Sequence, residues 1–480
     1  MLIDRYPRED VFARVPELAD QTDPVLVHLD RLLDDEALYQ QVRADLARRY
    51  RLTRRYRLTP VHGRHSTPAE VLLRLLVVQH LYAWSYQETV ERVADSLVLR
   101  WFCRVYFQRV PDKTTLLRWA ATIRPATLQA LVNRAAVLAQ QAKMTRARKL
   151  RIDSTCVQTT IHHPTDSGLL GDGVRVLTRL IRQAKPLVQT PLATVRAAFR
   201  SRLRSTRRIL QRLHRVRRMH GEDAAERQRG LYQRLLAITR QTVRQAERVR
   251  AALQRRALLR ARTSRRAYAL SHAASAARAA DRVTPRLIAA LDRFLPLVQR
   301  GIQQAQARVL DGQPVASTDK VLSLFEPHTR VVKRGKLSAA VEFGRQVVLD
   351  EVEGGIVTRF HLLADGESEC HQAVPAVQHH QAVFGRPPWL VTGDRRLHTK
   401  GVEQRVQALG VTQVVIPRMG RLSADQRTRE QQRSWRRRYR WRAGIEGRIH
   451  SLRRDYGLLR VRSHGPRGLE RDVGWGILAS

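Results

Sequence analysis

The chain has 480 residues, enough for about two to four domains and a sizeable buried core. Its 43% hydrophobic content excludes wholesale disorder, and 88 Lys and Arg against 43 Asp and Glu leave a net charge of +45. A field of that sign calls for a polyanion, by default nucleic acid, bound with a steep salt dependence; a composition-driven surplus of arginine would explain Arg in place of Lys but not the missing acids.

Cys103, Cys156 and Cys370 are far apart and show no CxxC spacing, so neither a disulfide framework nor a zinc site is expected, and a reducing compartment fits. The start, MLIDRYPRED, carries acids and no apolar run, which excludes a signal peptide. No stretch of about 18 uninterrupted apolar residues occurs, so no membrane span is expected. A soluble, cytoplasmic protein follows.

Residues 1–60 read as an N-terminal extension of mixed helix and loop, with a basic stretch from Arg48 to Arg57. Residues 61–145 read as a helical domain. Ser66-Thr67-Pro68-Ala69-Glu70 predicts a helix start with a hydroxyl cap, Pro in the first turn and an acid near the positive end of the dipole. Leu72, Leu73, Leu75, Leu76 and Val77 give that helix a broad apolar face. A second helix is expected from Ser85, a third over Leu97 to Tyr106, and a short one around Thr115-Leu116-Leu117-Arg118-Trp119. Short helices ending in such a segment suit a helix-turn-helix-like DNA-binding unit with Arg118 facing DNA; a plain helical bundle is the alternative.

Residues 149–161, KLRIDSTCVQTTI, predict a strand that ends in polar residues. A basic helical insertion is expected over 174–310. No proline falls between Pro191 and Pro285, and the acids between Leu192 and Leu310 are Glu222, Asp223, Glu226, Glu247, Asp281 and Asp292. Leu203, Leu210, Leu213 and Val216, then Leu231, Leu235 and Ile238, recur at helical spacing. Long amphipathic helices follow, as an antiparallel pair turning at Gly221-Glu222-Asp223. Such helices serve either as an arm along DNA or between protomers, or as a solvated hairpin; an arm so poor in acids cannot neutralise itself.

From about Val315 the apolar period changes to two. Residues 341–350 and 355–364 predict paired strands joined at Glu351 to Gly355. Two short buried strands, Trp389-Leu390-Val391 and Val414-Val415-Ile416, alternate with helices over 373–384 and 400–409, and one basic helix runs from Ser434 to Arg454. The fold class is α/β, with residues 146–173 and 311–480 forming a mixed sheet flanked by helices.

Three acids stand where chemistry is plausible. Asp153 follows an apolar strand start, and Asp394 follows the buried strand Trp389-Leu390-Val391-Thr392-Gly393. An acid at a strand's carboxyl end faces the crevice of an α/β sheet, although a turn or helix cap is the plainer reading of each. Gly393 lets the backbone turn close to a bound group. Glu446 lies in YRWRAGIEGRIHSLR, where Arg442, Glu446 and Arg453 fall on one helix face and place a carboxylate between two guanidiniums. Mg²⁺ takes oxygen ligands, and two such ions about 4 Å apart serve phosphodiester chemistry, so carboxylates at the centre of a cationic protein suit that reaction. Trp441 is either a base-stacking or a core residue. His162, His163, Asp166 and Asp172 line a metal site or DNA path, or form a turn capped by Asp166; Asp365 and Glu367 support the site from behind, or are turn residues.

The spacing Tyr439, Arg442, Glu446, Arg453 resembles the Tyr-x2-Arg-x3-Glu-x6-Lys signature of bacterial insertion-sequence transposases of the DDE type, with Arg453 in place of Lys. Asp153 in RIDST resembles the first catalytic aspartate of that family and Asp394 in VTGD the second. The segment from Leu72 to Val105 followed by PDKTTLLRW resembles the helical domain that precedes the catalytic domain, and IHHPTDSGLLGDGVRVLTR with the helical insertion resembles the ISNCY group. The resemblance runs from about residue 60 to the end. It implies an RNase H-like catalytic domain, a catalytic and metal-binding triad of Asp153, Asp394 and Glu446, two Mg²⁺ ions replaceable by Mn²⁺, and contact of Tyr439, Arg442 and Arg453 with phosphates. It implies double-stranded DNA as partner, a homodimer in the active complex and a nucleoid-associated bacterial enzyme that cleaves and joins strands at terminal inverted repeats. It also implies one further C-terminal helix in relatives. The expectation is a shortened chain, which leaves a catalytically inactive DNA-binding relative as the alternative.

Overall fold

The computed structural model describes residues 5–7, 23–52, 67–188, 200–219, 221–264, 274–336 and 339–480. The chain divides into two compact units, one of residues 1–160 with 332–480 and one of residues 161–331.

In the first unit, β1 (Lys149–Gln158) is the middle of a six-stranded sheet. On one side it runs antiparallel to β3 (Ala339–Val352), which itself neighbours β2 (Arg330–Lys336) and pairs antiparallel with β4 (Ile356–Leu362). On the other side it runs parallel to β5 (Leu390–Gly393), and β5 parallel to β6 (Gln413–Val415). The predicted hairpin is present: Gly354 and Gly355 both take positive φ, at 85° and 77°, which a tight β3–β4 turn requires. Strand β2 has no counterpart in the sequence reading, because RVVKRGK has too little alternation to mark it. β1 also stops earlier than predicted, at Gln158, where Val461 and Leu459 take over its backbone hydrogen bonds. The parallel strands are buried on both faces, as their uninterrupted apolar runs require.

Among the described residues seven helices precede the sheet: α1 (Pro24–Leu33), α2 (Glu36–Leu52), α3 (Ala69–Leu81), α4 (Tyr86–Asp95), α5 (Leu97–Phe102), α6 (Lys113–Ala120) and α7 (Pro125–Gln141). Helix α3 differs from its prediction at its start. Pro68 is the N-cap itself and no side chain caps the helix, while Ser66 lies outside the described residues. Nor is its apolar face one-sided: Val71 to Val78 are all buried. The one charge in that run, Arg74, is fully buried and pairs with Asp30 at 2.6 Å, Asp34 at 2.8 Å and Glu70 at 3.3 Å. Helix α4 starts as predicted, with a Ser85–Glu88 capping box. These helices share one apolar core with Val157, Val347, Leu349 and Phe360 of the sheet.

After β4 come α12 (Ala373–Phe384) and α13 (Val402–Gln407), which flank β5, then α14 (Ala424–Gln431), α15 (Arg433–Arg440), α16 (Ala443–Arg454) and α17 (Pro466–Leu478). The single basic helix predicted over 434–454 is therefore two, interrupted at Trp441-Arg442.

The second unit is helical: α8 (Asp166–Val188), α9 (Leu203–Val216), α10 (Glu222–Ser264) and α11 (Ala274–Ala305). Among the described residues four helices stand where a pair was expected, and α11 runs on through Pro285 and Pro296. The turn at Gly221 stands as predicted, with φ 104° between α9 and α10. The helices close on an apolar core that includes Leu177, Leu213, Leu235, Val249, Leu291 and Leu295. Gly171 and Gly173 are needed there, since a Cβ at either would lie 2.7 Å from Leu210 or 2.9 Å from Val298. Thr165, not Asp166, caps α8 by accepting from Gly168 N. Asp166 is buried and holds Gln304 and Arg308, each at 2.7 Å. Asp172 pairs with Arg175 at 2.8 Å and lies 3.7 Å from His162. Among the described residues no helix is long and apolar enough to cross a membrane.

Candidate active site

The register of the parallel strands sets the first two acids side by side. Ile152 of β1 lies opposite Gly393 of β5, so Asp153, mid-strand in β1 and not at its end as read from sequence, lies beside Asp394, which directly follows the end of β5. Asp394 begins a short 3₁₀ turn and accepts from Arg396 N at 3.0 Å, so the plain capping reading holds beside the functional one. Gly393 is required by the protein interior: a Cβ there would meet Leu397 at 2.2 Å and Ile152 O at 3.2 Å, a packing constraint in place of the expected approach to a ligand.

The third acid comes from α16. Ile445 and Leu452 are buried and seat this helix over β1, while Glu446 is 62% exposed. Arg442, which caps α16 in helical conformation, donates to Glu446 Oε1 at 3.0 Å and to Asp153 Oδ2 at 2.9 Å, so one guanidinium joins the first and third acids. Arg453 goes elsewhere: it donates to Glu342 at 2.8 Å and Thr155 at 3.3 Å. Glu446 is thus held by one guanidinium, not between two, because α16 turns Arg453 towards β3. Tyr439 stacks on Trp435 with centroids 5.2 Å apart. Arg118 lies on the exposed side of α6.

The break in the basic helix has a tertiary cause. Arg151, two residues before Asp153, pairs with buried Glu351 at 3.1 Å through Nε and donates from Nη1 to Trp441 O at 2.8 Å. Its guanidinium also lies 4.7 Å from the Trp441 ring centroid. A Cβ on Gly444 would come 2.1 Å from Arg151 Nη1, so glycine is what lets α16 approach. Trp441 is half-buried against cations, which is neither the core nor the open stacking position considered from sequence.

Electrostatics join the three acids. Burial pushes Asp153 up to about 6, and the charges of Asp394 and Glu446 push the same way, against Arg442 and the Ser154 N–H. Burial works against the charge of Arg442, yet Asp153, Tyr439, Glu446 and Asp394 hold its pKa above the ordinary value. The donors of the site are all carboxylate oxygens, which suit a hard divalent cation. Among the described residues no three His, Cys, Asp or Glu side chains already surround one point. Arg442 fills the space between two of them.

One participant was missed in the sequence. Glu369 accepts from Ser154 Oγ, from Gln346 Nε2 at 2.7 Å and from Arg396 at 3.4 Å, tying the residue after Asp153 to the turn after Asp394. It lies in the ADGESE region, whose other acids are turn residues: Glu367 accepts from Ala364 N at 2.8 Å and Asp365 pairs with Arg345 at 2.6 Å. No spacing marks Glu369, since each of its contacts is long-range.

Comparison with known proteins accords with this geometry. Residues 14–122 match a transposase domain (DUF772) and residues 339–480 match a transposase DDE domain, so Asp394 and Glu446 fall within a matched range and Asp153 between the two. The chain is 30% identical over 129 residues to the uncharacterized protein ORF8 in the nfe locus of Rhizobium meliloti, an alignment covering 26% of this chain and 61% of that protein. No solved structure matches. The mixed sheet with its flanking helices fits an RNase H-like α/β fold. Two transposase domains in one chain, one helical and one built on this sheet, identify it as a member of the insertion-sequence transposases of the DDE type.

Proposed function

We propose that this transposase binds the terminal inverted repeats of its element as double-stranded DNA, cleaves a strand there and joins the freed 3′ end to target DNA, with Asp153, Asp394 and Glu446 as the catalytic triad. The observation that carries the reading is the bridge of Arg442 between Asp153 and Glu446, with Asp394 on the adjoining strand end. Carboxylates concentrated in a chain of net charge +45 need a reason, and metal-dependent phosphodiester chemistry supplies one. Divalent ions, Mg²⁺ or Mn²⁺, held by Asp153, Asp394 and Glu446 would stabilise the charge on the attacking and leaving oxygens of an in-line displacement. Arg442, once released from the carboxylates, is free to hold a DNA phosphate, and Tyr439 and Arg453 flank it on the same segment. Positively charged helices such as α9, with Arg204, Arg207, Arg208, Arg212 and Arg215 and no acid, serve as an arm on DNA or between two protomers.

Incubating the protein with Mg²⁺ and DNA that carries the repeats flanking its gene is expected to give nicks at the repeat ends. Specific binding without any metal-dependent nick would reduce the protein to a DNA-binding relative. Binding is expected to weaken about 10³-fold or more between 50 and 200 mM salt, as measured by fluorescence anisotropy; a flat salt response would contradict the phosphate contacts. Arg442→Ala is expected to tighten divalent-ion binding about tenfold, read by Tb³⁺ luminescence, because the resident cation no longer competes for Asp153 and Glu446. Unchanged Tb³⁺ affinity would show that Arg442 and the ion do not share those oxygens.

A further inference from the structure

A cavity of about 310 Å³ lies away from the three acids, between the C-terminal end of α3, helix α6 and residues 456–475. That volume is at the lower end of the small-molecule range, roughly 300–1,000 Å³. Its walls are aromatic. Trp84 is stacked on Tyr82 with centroids 4.6 Å apart, and Trp475 is stacked on His80 at 5.3 Å; Trp84, Trp475 and His80 all line the space. Trp84 is held in place from below: Ala83 adopts φ 54°, and Arg462 donates to the carbonyls of both Ala83 and Trp84 at 3.3 Å.

The polar groups of the wall are unequal. Trp475 Nε1 is a buried donor without an acceptor, and Gln79 Oε1 a buried acceptor without a donor. The lining acid, Asp472, is already satisfied by the backbone N–H groups of Arg462 and Ser463, at 2.8 and 2.9 Å, and by Ser463 Oγ at 2.6 Å. Arg460 and Arg471 also line the space; Arg460 donates to Gln158 Oε1 at 3.3 Å and Arg471 lies within electrostatic reach of Glu470. Flat aromatic walls, one spare donor, one spare acceptor and two cations match a planar heterocycle that carries an anionic group.

We infer that this cavity receives a nucleobase, stacked against the partly exposed Trp84, with its phosphate on Arg460 and Arg471. Ala121 and Leu117 form its α6 side, next to exposed Arg118, so an unpaired base of bound DNA is within the reach of the same face. That source rests on the DNA-binding reading given above; a free nucleotide would satisfy the same wall chemistry. Stacking on an aromatic side chain contributes about 1–3 kcal/mol per base, or roughly 5- to 150-fold in affinity.

The test uses the full chain and two duplexes of about 20 base pairs, one fully paired and one with a single bulged 2-aminopurine. The bulged duplex is expected to bind about tenfold more tightly than the paired one. Trp84→Ala, and independently Ala121→Trp, which fills the space from a small lining residue, should each erase that preference while leaving affinity for the paired duplex within about twofold. Melting temperatures near wild type confirm that both variants fold. Equal affinity of the wild type for both duplexes, without competition by dAMP, overturns the proposal. Competition by dAMP that both variants abolish, in the absence of a bulge preference, supports the nucleobase site and assigns it to a free nucleotide. A bulge preference that survives both substitutions overturns it. Failure of the wild type to bind even the paired duplex strikes the DNA-binding reading instead, and the dAMP arm then decides the cavity by itself.

Discussion

Asp153→Asn is expected to abolish strand cleavage and transfer, by roughly 10³-fold or more, without unfolding the protein. The amide keeps the size of the side chain and can still accept from Arg442, but it cannot supply an anionic oxygen to a cation. The stability expectation follows from the raised pKa of Asp153, about 6, against about 3.9 for an unperturbed aspartate. A carboxyl that binds its proton more tightly folded than unfolded favours the folded state at low pH. That contribution is full below about pH 4 and is lost as the pH rises through about 6. At pH 8 the buried charge is a liability that the neutral amide removes. The variant should therefore melt at or above the wild-type temperature at pH 8, and any advantage should vanish near pH 4. Thermal melts at both pH values with a cleavage assay check this. Wild-type activity in the variant would remove Asp153 from the site, and a large loss of melting temperature at pH 8 would mean that its pair with Arg442 outweighs its desolvation.

Arg151→Ala carries the second large effect, on stability as well as activity. It leaves Glu351, fully buried beneath it, without its guanidinium, and it deprives the Trp441 carbonyl of its donor. Breaking a buried ion pair from one side costs about 3–5 kcal/mol. The double replacement Arg151→Met with Glu351→Leu is expected to recover most of that stability, because no charge is then stranded. Activity should not return with it, since nothing would then hold the Trp441-Arg442 break over β1. Denaturant melts of the single and double variants, with cleavage rates alongside, separate the two roles. Recovery of both stability and activity in the double variant would show that Arg151 does not position Arg442.

The parts of the site written in local pattern were legible. Asp394 follows a short apolar run and stands at the strand end that the run predicts, whereas β1 continues from Asp153 to Gln158 because β3 pairs with it along that length. Arg442 and Glu446 meet as their spacing of four predicts. What could not be read depended on distant partners. Nothing in Tyr-Arg-Trp-Arg-Ala breaks a helix by propensity, and the interruption at Trp441 comes from Arg151, 290 positions earlier. Arg453 is drawn to Glu342, 111 positions away, across β3. Arg74 inside Leu-Leu-Arg-Leu-Leu reads as the polar edge of an amphipathic helix, yet three acids from other helices and its own first turn allow it to be buried. The number of helices among the described residues of 161–331 was hidden because the spacing of apolar residues gives the faces of helices and not their number.

The order of the elements also bears on when the site can exist. β1 must wait for β3 and β5, and the contact of Asp153 with Arg442 spans 289 positions. While the protein is being synthesised, the first carboxylate leaves the ribosome long before the strand that carries the second and the helix that carries the third. Helices α8 to α11, rich in local contacts, can fold in that interval, whereas the parallel pairing of β1 with β5 cannot. A nascent chain therefore has much of its positive charge in place while its carboxylates are still apart. On the function proposed above, such a chain would bind DNA before it could cut it.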